Sequence, residues 1–453
     1  MIRPKYLLLC LDLWCAYLCL VAAYVLRLGL QSDYQELWTT GILKAALLLA
    51  VIAFSSYFFE LYDSQKFFAK KFLLYREGAN LLTLFFLLSA LFYLFPSLQL
   101  GRGVMFLTLL MFVAVQLGIR GLIRRFSSSA QFASRIFIIG AGQLAQRIYD
   151  IVPKDHNIHS YIRFVSCTEQ KPFVDSSLVV GDIKSIDDLI RDYRPQKIIT
   201  ALAERRGNLP LREFMHSKLK GIDVIEATTY FEQEKGCLLV EHMQPSAFVY
   251  THRFRMTPFM RSYKRIYDVV FSTIGLILTA PLFPLLSVLI KLDSPGPVFF
   301  RQLRVGEGEV EFFVYKFRTM AQDAEKKTGA VWAQKNDPRV TRLGKFMRKT
   351  RLDEIPQLYN VLKGDMSFIG PRPERMAFVE RLKETIPFYS TRHFVKPGVT
   401  GWAQVCYPYG ASDEDALEKL RYDLFYIKNY SILLDFRIIV DTIRVVTSGF
   451  GGR

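Results

Sequence analysis

Four apolar segments lie ahead of residue 125, at Tyr6–Leu26, Gly41–Leu61, Asn80–Phe95 and Val104–Leu122, and they constrain this chain more than any other feature. A helix needs about 20 mostly apolar residues to cross a bilayer. All four qualify, the third being the shortest. The first is not a cleaved signal, since it lacks a small-residue cleavage site and contains Asp12 and Trp14. A carboxylate inside a span is costly, so Asp12 is expected to face other helices. Cations orient the set. Arg3 and Lys5 precede the first span, Lys66, Lys70, Lys71 and Arg76 fill the second loop, and Arg120, Arg124 and Arg125 flank the exit. The loops around 31–38 and 96–102 are poor in Lys and Arg. Both ends of the bundle are therefore expected to face the cytoplasm.

Composition supports this. The chain is 51% hydrophobic and 14% aromatic yet carries a formal net charge of +17. That combination suggests a membrane protein with cytoplasmic cations or a nucleic-acid binder, and the apolar runs decide for the membrane, with no nucleic acid expected. Of the six cysteines, Cys10, Cys15 and Cys19 share one apolar segment and no two form a Cys-x-x-Cys pair, which fits neither a disulfide frame nor a zinc site. The six histidines are scattered, which argues against a histidine metal site.

After Ser127-Ser128-Ser129, the run Arg135-Ile136-Phe137-Ile138-Ile139-Gly140-Ala141-Gly142 reads as a buried strand and a glycine turn, with Ala145 at the third glycine position of a dinucleotide-binding turn. Strand signals follow at 164–167, 178–180, 197–199 and 222–225, with helical stretches at Ile186–Tyr193 and Leu211–Leu219. This predicts a small Rossmann-like parallel α/β domain over 127–250. Gly140 and Gly142 form a candidate nucleotide turn and Glu169 a candidate ribose ligand, but one short glycine motif also serves strand–helix packing. The rival function is an NAD-dependent nucleotide-sugar epimerase or dehydratase, which needs a Tyr-x-x-x-Lys pair. Tyr62/Lys66 falls in a membrane loop, Tyr193/Lys197 contains Pro195, and Tyr359/Lys363 lies outside the domain.

A fifth apolar segment, Ile266–Leu292, has Arg261, Lys264 and Arg265 before it and Lys291, Arg301 and Arg304 at or after its end. Cations at both ends oppose crossing, and Pro281 and Pro284 break its middle. The expectation is a re-entrant helix over about 264–292, bent at Ala280–Pro281.

Beyond it, Arg348-Lys349-Thr350-Arg351-Leu352-Asp353-Glu354-Ile355-Pro356 sets adjacent carboxylates behind cations. The residue before a proline avoids the α region, and proline suits a first helical turn. A turn feeding a helix from about Pro356 to Lys363, ended by Gly364, is expected. Both carboxylates should stay ionised beside the cations and the helix dipole. An ionised Asp can attack phosphorus, and a neighbouring Glu can hold a divalent metal. Arg372, in the rigid Gly370-Pro371-Arg372-Pro373 turn, offers a planar fork for phosphate. Lys316 and Arg318 fall two residues apart on one strand face. Trp402, in the loop 397–404, is expected as an interfacial anchor. The stretch 417–446 reads as amphipathic helices, because Asp423, Lys428, Asp435, Arg437 and Asp441 interrupt it.

Together, the Asp353-Glu354 stretch, the Tyr315-Lys316-Phe317-Arg318-Thr319-Met320 run and the 397–404 loop resemble the bacterial polyprenyl-phosphate sugar-1-phosphate transferases, the monotopic phosphoglycosyl transferases, over roughly 258–453. Alongside the four transmembrane helices expected in 1–126 and the α/β domain, the resemblance implies an α+β catalytic domain in 251–453 containing the re-entrant helix. It implies Asp353 as nucleophile and Glu354, beside Asp353, as the Mg²⁺ ligand. Arg348, Arg372, Lys316 and Arg318 become phosphate or substrate ligands, and Arg301 is placed with them. Lys264, Arg265 and Asp268 match the charged start of the re-entrant helix near the lipid head groups, and Pro281 its bend, where the family often has Ser-Pro and this chain has Ala280-Pro281. The implied substrates are a UDP-sugar, with glucose or galactose usual, and polyprenyl (undecaprenyl) phosphate. The implied setting is the bacterial inner membrane with the catalytic part cytoplasmic, in the first membrane step of exopolysaccharide, capsule or O-antigen synthesis. A homodimer through the middle domain is a further expectation.

Overall fold

The computed structural model describes residues 4–28, 41–59, 61–62, 70–127, 135–152, 161–167, 173–202, 211–243, 248, 254, 256–321, 338–407, 410 and 412–447. Arg3, Lys66, Ser128, Ser129 and Glu169, used above, lie outside them. The chain divides into two compact units, Met1–Ile225 and Glu226–Arg453.

The first unit opens with helices α1 (Pro4–Leu28), α2 (Gly41–Phe58), α3 (Lys70–Leu94) and α4 (Arg102–Ser127). All four are long and apolar enough to cross a membrane, and a helix satisfies its own backbone where lipid cannot. Ala16, Leu20, Ala23, Leu48, Ile52, Leu84, Leu88 and Phe112 fill the space between them. Asp12 does face other helices. Its carboxylate takes both arms of the Arg120 guanidinium at 2.7 and 2.6 Å and the Gln116 amide at 2.7 Å. Glu77 lies 4.0 Å from Arg120 Nε.

The same unit contains strands β1 (Arg135–Ile139), β2 (Tyr161–Ser166), β3 (Val179–Asp182), β4 (Lys197–Thr200) and β5 (Asp223–Glu226) in the order β3-β2-β1-β4-β5. The pairings of β1 with β2 and β4, and of β2 with β3, are parallel. Helices α5 (Gln143–Ile151), α6 (Ile186–Tyr193) and α7 (Leu211–Leu219) alternate with the strands. Gly140 is required by packing: its φ is +111°, and a methyl there would sit 2.7 Å from the Ala201 carbonyl oxygen. At 193/197, Tyr193 packs on Phe137 and Lys197 faces Asp223.

The second unit begins at Glu226. Helix α8 (Ala227–Lys235) and the turn after it pack against later helices, with Leu238 and Val240 in a core shared with Val379, Leu382, Leu424 and Ile438. Helices α9 (Pro258–Thr279) and α10 (Leu282–Asp293) meet at a 60° bend. The bend falls at Ala280–Pro281, where the proline withholds a backbone donor. An antiparallel hairpin, β6 (Phe299–Val305) and β7 (Glu311–Phe317), leads on to α11 (Arg342–Thr350) and α12 (Gln357–Lys363). A short parallel pair, β8 (Ser367–Ile369) and β9 (Gly398–Thr400), encloses α13 (Met376–Thr385), and α14 (Trp402–Cys406), α15 (Asp413–Lys428) and α16 (Ile432–Thr447) close the chain. Trp402 corrects an expectation. It is 4% exposed, donates from Nε1 to the Gly236 carbonyl at 2.7 Å and lies under the Arg437 guanidinium, so it is a core residue and not an interfacial anchor.

Candidate active site

The Asp353-Glu354 pair sits in a single turn between two helices. α11 stops because Arg351 adopts the left-handed conformation, with φ 59° and ψ 15°. A non-glycine residue there is uncommon and costs of order 1 kcal/mol, a strain typical of functional turns. Leu352–Glu354 then forms one 3-10 turn, Pro356 precedes α12, and Gly364, with φ +101°, ends α12 as expected. Leu352 and Ile355 anchor the turn by packing on the Leu286, Ile290, Phe317 and Met347 cluster. Asn360 ties α12 to β7 by accepting from the Tyr315 amide at 3.1 Å and donating to the Phe313 carbonyl at 2.7 Å. That clamp fixes Lys316, the next residue, opposite the turn.

Glu354 Oε1 receives Lys316 Nζ and Arg372, each at 2.8 Å, while Oε2 lies 3.8 Å from Arg351. As whole residues, Asp353 and Glu354 are 7% and 8% exposed. The side chains of Lys316 and Arg372 are 23% and 41% exposed. The cations therefore line an open side above a buried acid pair, where an anion could reach them.

The two acids differ. Burial works against the charged form of Glu354, yet Lys316, Arg372 and Arg351 together outweigh it and hold that carboxyl well below the usual range. Asp353 goes the other way. Burial pushes it up and the Glu354 charge adds to this, while Lys316, Arg348 and Arg351 pull down without cancelling the rise. The neighbouring cations thus outweigh burial at Glu354, whereas burial outweighs them at Asp353. Its Oδ1 is buried and makes no hydrogen bond. Leaving such an oxygen bare costs on the order of 1–3 kcal/mol.

The bare oxygen also tests the fit of a divalent cation. Among the described residues no group of three or more His, Cys, Asp or Glu could hold one. Mg²⁺ uses one or two carboxylates and completes its shell with water and phosphate. The loosely paired Glu354 Oε2, with the Asp353 carboxylate beside it, suits that pattern.

The Arg372 segment is held by its carbonyls. Pro371 O accepts from the Gly398 amide at 2.9 Å, Arg372 O from Arg392 at 2.9 Å, Pro373 O from Arg304 at 3.1 Å and Glu374 O from the Val305 amide at 2.9 Å. Around it the backbone is too close for side chains. A methyl on Gly398 or Gly401 would lie 2.1 Å from Gly370 backbone atoms, and one on Gly370 2.3 Å from the Lys396 carbonyl.

Other candidates fall elsewhere. Arg348 donates from Nε to Thr319 Oγ1 at 2.9 Å and is close enough for its charge to act on Asp353. Arg318 is separated from Lys316. Its buried guanidinium grips the Ser294 and Pro295 carbonyls at 2.6 and 2.8 Å, at the exit of α10. Arg301 faces Tyr315 across the hairpin, on the face opposite Lys316, and stacks over Phe313. The Lys264 ammonium is buried against Tyr426 and Asp435, Asp268 accepts from Ser367 Oγ and the Phe368 amide, and Arg265 caps α12 through the Val361 and Leu362 carbonyls. These three brace α9, with Lys264 paired to Asp435 inside the fold. Sequence reasoning quoted Arg351 and Asp423 but gave them no role in the site, and missed Asn360 and Arg392. Only Arg351, adjacent to the acids, carried a signal.

Residues 259–449 match the family of bacterial sugar transferases. A UDP-N-acetylgalactosamine-undecaprenyl-phosphate N-acetylgalactosaminephosphotransferase of Aeromonas hydrophila is 51% identical over 44% of this chain and 46% of its own. A UDP-glucose:undecaprenyl-phosphate glucose-1-phosphate transferase of Xanthomonas campestris pv. campestris is 45% identical over 40% and 37%. The exopolysaccharide production protein PSS of Rhizobium leguminosarum bv. phaseoli is 43% identical over 40% of this chain and 92% of its own length. The chain thus spans less than half of the first two relatives and nearly all of the third.

Proposed function

Because the chain belongs to the bacterial sugar transferase family, we propose that it transfers a sugar-1-phosphate from a UDP-sugar to polyprenyl phosphate through a phospho-aspartyl intermediate. The observation that carries this reading is the inequality of the paired acids. Glu354 is neutralised by cations, whereas Asp353 presents an oxygen with no donor. A carboxylate oxygen without hydrogen bonds is the more basic and more nucleophilic one.

Asp353 Oδ1 attacks the phosphorus that bears the sugar. The bond from that phosphorus to the bridging oxygen breaks, UMP leaves with the electron pair, and the sugar phosphate rests on the aspartate. An oxygen of the lipid phosphate then attacks the same phosphorus, freeing the Asp353 carboxylate and giving a lipid diphosphate sugar. Lys316 and Arg372 hold phosphate oxygens from the open side, and Arg348 and Arg351 lower the repulsion met by the incoming dianion. Mg²⁺, held by Asp353 and Glu354, supplies charge neutralisation at the phosphates when bound.

The 60° bend at Pro281 supports a re-entrant α9–α10 that dips into one leaflet of the bacterial inner membrane from the cytoplasmic side. Exposed Ile266, Val270, Ile274 and Ile277 form its lipid face. The sheet order supports a Rossmann-like reading of the small domain. Relatives' names divide between glucose and N-acetylgalactosamine, so both join galactose as donors to try.

Asp353→Asn should lower lipid-dependent UMP release by ~10³-fold or more and abolish a trapped phosphosugar adduct. Near-normal UMP release from that variant, measured on purified protein with Mg²⁺ and polyprenyl phosphate, would end the assignment.

A further inference from the structure

We propose that Arg392 is a positioning residue that acts through the backbone of Arg372, an inference that rests on Arg372 being a ligand for the donor phosphates. The Pro371-Arg372-Pro373 segment cannot fix itself by donating, since neither proline has an N–H. Its shape depends on what its carbonyls receive. Three of the four donors are drawn from β6 and β9: Arg304, the Val305 amide and the Gly398 amide. The fourth comes from the 3-10 stretch Tyr389–Phe394, and it alone holds the carbonyl of Arg372 itself.

That fourth donor is a charged side chain in an unusual setting. Arg392 is buried, with its guanidinium facing the Asp423 carboxylate of α15 at 2.9 Å and the Tyr389 hydroxyl at 2.6 Å. The same guanidinium lies over the Tyr389 ring, 5.1 Å from its centre. A buried ion pair of this kind is weak evidence for stability, since an apolar replacement often does as well. What it supplies here is direction: one planar fork spans Tyr389, Asp423 and the Arg372 carbonyl at once. With the carbonyl fixed, the Arg372 side chain leaves on the side of Glu354 Oε1, 2.8 Å away. Lysine would keep the charge beside Asp423 but could not span all three partners.

The test is a double-substitution cycle on full-length protein in lipid nanodiscs. The donor is whichever of UDP-glucose, UDP-galactose and UDP-N-acetylgalactosamine the wild type turns over, with polyprenyl phosphate as acceptor. Arg392→Lys should reduce kcat/KM about 10-fold, mostly by raising the donor KM, because small misplacements of a ligating group carry large kinetic penalties. In an Arg372→Ala background the same substitution should change kcat/KM less than about 2-fold. Tyr389→Phe, which keeps the ring and removes one partner, should give a smaller loss of the same kind and guards against an unfolded Arg392→Lys. If the Arg392→Lys and Tyr389→Phe losses are equally large with and without Arg372, the role is structural and the proposal is wrong. If Arg372→Ala itself leaves kcat/KM within about 2-fold of wild type, the reading of Arg372 fails and the proposal falls with it.

Discussion

Two of the buried polar clusters among the described residues, one between the apolar helices and one at the acid pair, are built with opposite charge balance. In the bundle, two carboxylates, Asp12 and Glu77, face one guanidinium, Arg120, whose two terminal nitrogens are taken bidentately by Asp12. At the acid pair, two carboxylates face four cations, Lys316, Arg348, Arg351 and Arg372. A surplus of positive charge on the open side waits for an anion, whereas a deficit repels one. The comparison teaches that buried charge alone does not mark a reactive site. The sign left over after local pairing is more informative.

Removing one partner from the bundle should produce the largest change in stability. Arg120→Ala leaves Asp12 uncompensated and should destabilise the protein by about 3–5 kcal/mol, read as a drop in thermal midpoint in detergent, while UMP release per folded molecule holds. A variant that folds normally but loses turnover would break the contrast, because it would give the bundle cluster a part in chemistry. Replacing both Asp12 and Arg120 by leucine should recover most of the loss.

At the acid pair the balance is reversed. Glu354→Gln should fold about as well as wild type yet reduce kcat/KM on the order of 100-fold, since Lys316 and Arg372 lose the charge that orders them. Equal effects on unfolding and on turnover would make the two clusters alike.

A smaller effect sharpens the picture through pH. Burial, with Arg392 adding to it, drives the His393 imidazole from its ordinary 6.5 down to about 4. The unfolded chain therefore takes up that proton first as pH falls. The contribution of His393 is fully present above pH 6.5 and fades as pH drops toward 4. At pH 5.5 the loss is about 1.4 kcal/mol. His393→Asn should flatten the fall in unfolding midpoint between those pH values, and parallel curves for the two proteins would contradict it.

Much of the fold was legible because it is local. Helices at 186–193 and 211–219, the end of α12 at Gly364 and the break at Ala280–Pro281 all follow from periodicity or from single glycine and proline residues. The acid pair was legible as residues but not as chemistry. The rise at Asp353 comes from burial, which depends on how the turn packs on distant Phe317 and Leu286. Long side chains misled most. Lys264 is committed to Asp435, Trp402 to Gly236 and Arg318 to Ser294, partners 171, 166 and 24 residues away. Charge and aromatic character say what a side chain can do, while its direction is set by contacts that no short window contains.

The meeting of Gly370 with Gly398 and Gly401, where two stretches of main chain touch with no space for a methyl, bears on how such a protein could diversify. Any stepwise replacement there would wedge the strands apart and swing Arg372 with them. That segment can then be inherited only as a block, and variation would have to be written into the surrounding walls.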